Sequence, residues 1–449
     1  MNRILALLCS IPVSLAQAAE VDALLQQPWP TIVEGAPSIG SFDAEDASRI
    51  REGVWTAYKN AVTADESRIR EHTDREISYN DRTMRFHFEV VGDPSEGPMP
   101  LYIAMHGGGG VPARFNDGQY DHMKRYYLPN VKRGIYCATR GVSNTWDLHF
   151  QPESYVCYDR LIENMIAFEN ADPNRVYIMG FSAGGDGTYQ IAARMADRWA
   201  GAAMSAGHPN GVNPRNLYQL PLLTQIGARD GAYDRLRQTV RYHQRIVRFR
   251  VFEGHGYPHE IYVHAGKPHN FFDNHPEEAP QTVISDPVAW LDSGATATQE
   301  RNTSSIAWLD QHTRNPQPDR VIWDRTTAAP RAAPSLWGDT THGAQHYWLD
   351  VSGLDAGPTE IIAHIDRAQN LIVIETLGQA VRLLLNDAML DLDRPVAVEL
   401  DGTRREIEVE RLIDTLAKTM KQRGDPSHAY VASITAKRGP GVLLLSTDL

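Results

Sequence analysis

An apolar, β-favouring run, Arg175-Val-Tyr-Ile-Met179, ends abruptly in Gly180-Phe181-Ser182-Ala183-Gly184, and this junction constrains the fold more than any other stretch of the chain. The G-x-S-x-G pattern after a strand is the wiring of a sharp strand-to-helix turn that lifts a serine hydroxyl clear of the backbone. Gly180 and Gly184 suit such a turn because neither carries a Cβ to clash across it. A serine hydroxyl is a poor nucleophile until a base takes its proton, so the turn is useful only where a histidine can reach it. At ordinary glycine and serine frequencies the pattern arises by chance roughly 0.1 times in a chain of this length, so it needs a companion.

The companion lies upstream, where Leu101-Tyr-Ile-Ala-Met105 runs into His106-Gly107-Gly108-Gly109-Gly110. Histidine followed by three glycines is expected by chance only about 0.003 times. A glycine run after a strand can be no more than a flexible turn. The order strand, HGGG, strand, G-x-S-x-G is nevertheless that of an oxyanion loop followed by a nucleophile elbow.

At 449 residues the chain has room for two domains. Its formal charge of -12 and pI near 5.8 argue against a polyanionic partner such as nucleic acid, and point to a neutral or modestly cationic substrate or an uncharged polymer. Met1-Asn2-Arg3, the apolar stretch from Ile4 to Leu15 and Ala16-Gln17-Ala18 have the three regions of a secretory signal peptide. The stretch is too short for a membrane anchor, so a secreted or periplasmic protein cleaved near Ala18 is expected. Leu8 stands where a small residue would precede a lipidated Cys9, which argues against lipidation. Two cysteines then remain, Cys137 and Cys157. In an oxidising compartment they form either a disulfide or two reduced, buried thiols. They lack the CxxC spacing and nearby histidine of a zinc site, and no metal is expected.

After the leader, residues 19–75 read as a helical lead-in. Ile50, Val54, Ala57 and Ala61 recur at helical intervals within one helix from Asp43 to about Glu71, expected to pack on the following domain. Arg82 to Val91 alternates as an early antiparallel strand. Strands at Leu101–Met105, Gly134–Ala138, Arg175–Met179, Trp199–Ser205, Leu220–Ile226 and His259–His264 then alternate with helical segments. That alternation implies an α/β class domain, a mostly parallel sheet with helices on both faces, over residues 76–314. Only the short stretch from His208 to Tyr218 separates two of the strands, which leaves no room for a cap domain there. The loop from Gly141 to Tyr158 carries Trp146, His149, Phe150 and Tyr155, which either wall the site or pack beneath their own loop. Ser304–Asp310 reads as the last helix. Short strands and the Asp401-Gly402 turn then imply a smaller, mostly-β, sandwich-like domain over residues 315–449.

An elbow serine needs an acid and a histidine, which in such a sheet follow it in the order Ser, Asp, His at the ends of later strands. The run from Pro221 to Asp230 reads as a strand ending in aspartate, so Asp230 is the candidate acid, with Asp234 as substitute. His255, His259, His264, His269 and His275 all fall in the region of the base. His259–His264 reads as the last strand, so the loop after it, Gly266-Lys-Pro-His269, places His269 best, with His255 second.

These motifs resemble the secreted α/β-hydrolases that include poly(3-hydroxybutyrate) depolymerase-like, feruloyl and acetylxylan esterases and prolyl-oligopeptidase-type peptidases. The resemblance rests on the HGGGG loop, Gly180-Phe-Ser-Ala-Gly-Gly185, Ile226-Gly-Ala-Arg-Asp-Gly-Ala-Tyr-Asp234 and Gly266-Lys-Pro-His269, and more loosely on Thr313-Arg-Asn-Pro and Leu383 to Asp393. Pro268 departs from the pattern, standing where a glycine commonly precedes the histidine. The resemblance implies Ser182 as nucleophile, His269 as base and Asp230 as its orienting acid. The oxyanion would be held by the N–H of Ala183 and that of Gly107 or Gly108. Trp146 and Phe181 are candidates for substrate contact, and no cofactor is implied. The expected substrate is a bulky or polymer-linked carboxylic ester, which the absent lid suggests. A serine peptidase is the first alternative and a non-catalytic binding module on the same scaffold the second. The C-terminal domain either braces the catalytic one or binds carbohydrate.

Overall fold

The computed structural model describes residues 15–271, 273–274, 279–294, 296–326, 341–357, 359–440 and 442–447. Most of the expected leader, Cys9 and His275 lie outside these residues. The described chain forms two compact units. One runs from Thr63 to Tyr347; the other joins the residues up to Val62 to Trp348–Gly357 and to the chain after Ile361. Among the described residues no helix is long and apolar enough to cross a membrane.

The N-terminal helices are α1 (Leu15–Leu25), α2 (Trp29–Ile39), α3 (Ala47–Ala64) and α4 (Glu66–Asp74). The single helix expected from Asp43 to Glu71 is thus two. Asp65 ends the first and caps the second, its carboxylate accepting the N–H groups of Ser67 at 2.7 Å and Arg68 at 3.2 Å. Ile50, Val54 and Ala57 are buried as their spacing requires. They belong, however, to the unit that holds the C-terminal strands rather than to the α/β one. The chain is tied there at its entrance to α3, where Phe42 N–H donates to Arg411 O at 3.0 Å and Ser41 bridges Leu412. In the same unit, strands Leu371–Thr376, Val396–Leu400 and Thr403–Ile407 share one sheet, and Leu349–Asp350, Ala380–Leu385, Ala432–Gly439 and Val442–Ser446 a second. Asp401 and Gly402, at φ 52° and 75°, make the tight hairpin between Val396–Leu400 and Thr403–Ile407.

The α/β unit is built on one ten-stranded sheet. Its strands are β1 (Glu76–Tyr79), β2 (Arg82–Val91), β3 (Met99–Met105), β4 (Gly134–Thr139), β5 (Ala171–Phe181), β6 (Gly201–Ser205), β7 (Leu222–Gly227), β8 (His259–His264), β9 (Gln281–Ile284) and β10 (Thr298–Arg301). The spatial order is β1-β2-β4-β3-β5-β6-β7-β8-β9-β10. From β4 to β8 every pairing is parallel; β1, β2, β9 and β10 add antiparallel edges. Every residue of β3, β4, β6 and β7 is buried, as strands covered by helices on both faces must be. The helices include α5 (Ala113–Tyr126), α6 (Pro152–Glu169), α7 (Ala183–Arg194) and α8 (Arg235–Glu253). Two expectations change here. β8 is not the last strand, since β9 and β10 continue the sheet beyond it. The loop expected from Gly141 to Tyr158 stops at Gln151, and Tyr155 and Cys157 are buried on α6.

Candidate active site

β5 and α7 meet at Ser182, whose φ of 58° and ψ of -117° lie where side-chain-bearing residues are rarely found. The turn is held by its neighbours: Ser182 N–H donates to Ser205 O on β6, and Asp186 N–H to Ser182 O, each at 2.9 Å. Its glycines are required by close approach of backbone to backbone. A Cβ at Gly180 would stand 2.3 Å from Gly184 O, one at Gly184 2.1 Å from Met105 O, and one at Gly185 2.4 Å from Ser205 O. The third requirement was not apparent from the sequence.

At the ends of β7 and β8 the other two candidates converge on this serine. His269 Nε2 lies 3.0 Å from Ser182 Oγ, and His269 Nδ1 lies 2.6 Å from Asp230 Oδ2. An ionised carboxylate only accepts, so Nδ1 carries the proton and Nε2 is left to accept from the serine. Asp230 is buried, with its side chain 1% exposed. Its turn is locked to the histidine loop, since Arg229 N–H donates to Lys267 O at 2.8 Å. Pro268, the departure from the family pattern, is seated in that arrangement, its carbonyl against Gly227. Asp234 is not brought to the site; it pairs with Arg237 at 3.4 Å. The rival histidines are engaged elsewhere: His255 with Tyr218 Oη at 2.5 Å, His259 with His243 at 3.0 Å, and His264 with Gln225 at 2.9 Å.

The glycine loop is cradled by His106, by His149 and by Asn116, the last of which the sequence did not single out. His106 Nδ1 lies 2.5 Å from Gly107 O, while its Nε2 accepts the Gly141 N–H at 3.2 Å. His149 Nε2 in turn lies 2.8 Å from His106 O. Buried Asn116 accepts the Gly109 N–H at 2.9 Å and donates to Asn144 at 3.0 Å. Gly107 is brought beside the nucleophile, a Cβ placed on it falling 3.4 Å from Ser182 Cβ. Gly108 adopts φ 114°, and Ala183 opens α7. The first N–H groups of a helix have no partner within it, so Ala183 is positioned to donate outward.

Burial pulls the His106 pKa down to about 4 and that of His149 well below the ordinary value of 6.5, so both rings are neutral near neutrality. An unfolded histidine titrates near the ordinary value, so the unfolded chain binds more protons in the window from about 6.5 down to about 4. The stabilising contribution of neutral His106 is therefore fully present above that window and lost as pH falls through it, and buried His149 acts in the same direction. For His106 alone the loss is about 3 kcal/mol. Thermal melting between pH 8 and pH 5 should show the transition moving down as acid is added; a flat profile would contradict this account.

Asp273 was also missed. Fully buried, it accepts from Tyr126 Oη at 2.9 Å, Tyr127 Oη at 2.5 Å and Ser205 Oγ, and its backbone O takes the Ser305 N–H at 3.0 Å. It clamps the loop that carries His269 to β6 and α5. Asp273→Ala should remove the acceptor of four hydroxyls, those of Tyr126, Tyr127, Ser205 and, at 3.3 Å, Ser305, cost about 3 kcal/mol in denaturant unfolding and lower kcat. Unchanged stability would show that the clamp is not needed.

Two hollows flank Ser182. A cleft of about 600 Å³ runs along Gly108, Gly109, Ala183 and Trp146. On the other side a pocket of about 350 Å³ is lined by Phe181, Met123, Tyr126 and Phe271. Trp146 is 56% exposed, whereas Phe150, His149 and Tyr155 are buried, so of that aromatic set only the tryptophan faces the cleft. Phe181 stands edge-on to His269 at 5.6 Å between ring centroids. Cys137 and Cys157 are free, buried thiols and not a disulfide. Burial raises both, Cys157 to about 12, so neither is a nucleophile. Among the described residues no group of three or more His, Cys, Asp and Glu is placed to hold a metal ion.

No family model matches the sequence. Over 177 residues the chain is 29% identical to a protein of Nocardia uniformis subsp. tsuyamanensis named "Putative esterase NocK". The match covers 35% of this chain and 48% of that protein, so the chain spans about half the length of the curated relative it matches. Among solved structures, a thermostable esterase aligns with a TM-score of 0.36 at 18% identity, over 54% of this chain and 64% of that one. The poly(3-hydroxybutyrate) depolymerase LpqC of Bordetella parapertussis aligns with a TM-score of 0.34 at 16% identity, over 51% and 89%. The strand order, the elbow after β5 and the sequence of chemistry-bearing strand ends give this chain the α/β-hydrolase fold, with smaller β-sheets toward its C-terminus.

Proposed function

We propose that the chain is a serine hydrolase that cleaves carboxylic esters through an acyl-enzyme. The observation that carries this is the continuous hydrogen-bonded line Ser182, His269, Asp230 at a strained elbow that opens on a cleft. Ser182 Oγ attacks the ester carbonyl as His269 Nε2 takes its proton; the same nitrogen then protonates the departing alcohol. Asp230 holds the ring in the required tautomer and stabilises the imidazolium. Water, deprotonated by His269, releases the acid and restores the serine. The oxyanion is stabilised by the N–H of Ala183 and that of Gly107 or Gly108, each donor contributing ~3 kcal/mol at the transition state.

Between β6 and β7 the described chain forms only a short turn, Pro214–Tyr218, which supports an uncapped site suited to bulky or polymer-linked esters. The name of the Nocardia relative supports ester rather than amide cleavage. A panel of aryl esters of increasing acyl length, assayed beside the matching anilides, tests the reading. Turnover of esters with anilides at least 100-fold slower is expected. Anilides cleaved and esters spared would make the chain a peptidase, and no turnover of either would leave a non-catalytic scaffold.

A further inference from the structure

The cleft beside Ala183 is lined by a cation, Arg235, one of whose buried nitrogens has no acceptor among the described residues. Arg235, the first residue of α8, has a side chain only 13% exposed. Its nearest carboxylate oxygen is Asp230 Oδ1 at 3.9 Å, beyond hydrogen-bonding reach, and that acid commits its other oxygen to His269. Arg235 Nε is buried and meets no acceptor among the described residues. Burying a guanidinium N–H without an acceptor is costly, and a ligand in the cleft can supply one.

The turn leading to Arg235 carries a second, independent sign. Tyr233 and Asp234 both hold left-handed backbone, at φ 56° and 57°, an expensive conformation for two consecutive residues that are not glycine. The strain sets the Tyr233 ring, 79% exposed, over the Arg235 guanidinium at 4.8 Å, where it lines the same cleft as Trp146. The acid on the cleft wall, Asp186, is already engaged, accepting the His208 N–H at 2.7 Å and Asn210 Nδ2 at 3.0 Å. Across Ser182, the pocket under Phe181 is lined by no arginine or lysine. The two hollows therefore differ in that only the cleft is lined by a guanidinium, which shares that wall with Asp186.

We propose that Arg235 is an anion-recognition residue of the site, receiving a carboxylate on the ester substrate while the substrate's apolar part lies in the pocket under Phe181. A planar guanidinium pairs with a carboxylate through two parallel hydrogen bonds, which suits it to this task. This inference rests on the ester-hydrolase reading, and the experiment separates the two.

The test uses two matched pairs: the mono-4-nitrophenyl ester of glutarate against its methyl-capped neutral form, and 3-carboxyphenyl acetate against its methyl ester. The wild-type chain should prefer the anionic member of at least one pair by tenfold or more in kcat/KM, and added salt should erode that preference. Arg235→Gln should abolish the preference and Arg235→Lys should restore part of it, the anionic-to-neutral ratio rather than the absolute rate being read. No preference in either pair, or a ratio unchanged in Arg235→Gln because both members slow equally, overturns the proposal and leaves Arg235 as a brace for Asp230. Turnover of no member would defeat the ester-hydrolase reading itself, and this inference with it.

Discussion

His269→Ala should lower kcat/KM for an activated aryl ester by a factor on the order of 10⁵, while His255→Ala leaves it within about twofold. The large figure follows from the geometry: among the described residues only the ring at 269 reaches Ser182 Oγ, at 3.0 Å, and without it the hydroxyl must attack unassisted. Alanine also removes the group that transfers the proton to the leaving alcohol, so both halves of the reaction suffer. What remains should be catalysis by the oxyanion donors and by binding alone. His255 is occupied with Tyr218 Oη and touches neither Ser182 nor Asp230, so it serves as the internal control. If instead His255→Ala abolished activity and His269→Ala spared it, the assignment of the base would be wrong.

The second large effect is on folding. Gly184→Ala would set a Cβ 2.1 Å from Met105 O, 2.6 Å from Met105 C and 3.0 Å from His106 O. All three are backbone atoms at the end of β3, a central strand paired on both sides, so none can give way as a flexible side chain would. Relieving the clash means parting α7 from β3 and displacing Gly107 from the nucleophile. A cost above about 4 kcal/mol is expected, enough to lower the melting temperature by more than about 10 °C or to prevent folding. Gly231→Ala is the control. A Cβ there meets nothing within 4 Å and the backbone has φ -89°, so melting should hardly change. Equal melting temperatures for both variants would show that the elbow is looser than described.

What the sequence disclosed and what it withheld divide along a physical line. The elbow, the glycine loop and the order Ser182, Asp230, His269 were legible because local constraints write them: a turn that only glycine permits, and strand ends marked by the shift from apolar runs to polar residues. The bounds of β2 followed from alternation for the same reason. Asp273 was not legible, since its partners Tyr126, Tyr127 and Ser205 are remote in the chain and Asp273-Asn274 reads as an ordinary loop. Asn116 was hidden likewise, as a polar residue within a helix whose value lies in a loop folded over it. The periodicity of α3 correctly marked a buried face and could not say with which part of the chain its residues would group; most of them belong to the unit of the C-terminal strands. The start of α6 was obscured because its buried residues, among them Pro152, Tyr155, Cys157, Met165 and Ala167, lie around most of its circumference, which erases the amphipathic signal.

The central claim is that Ser182 is an activated nucleophile, and a fluorophosphonate tests it most directly, because phosphonylation requires the serine and its base but no knowledge of the substrate. The account expects stoichiometric labelling of the wild-type chain, with the added mass on the peptide containing Ser182, and none in Ser182→Ala. An unlabelled wild-type chain, or a label that survives in Ser182→Ala, would contradict it.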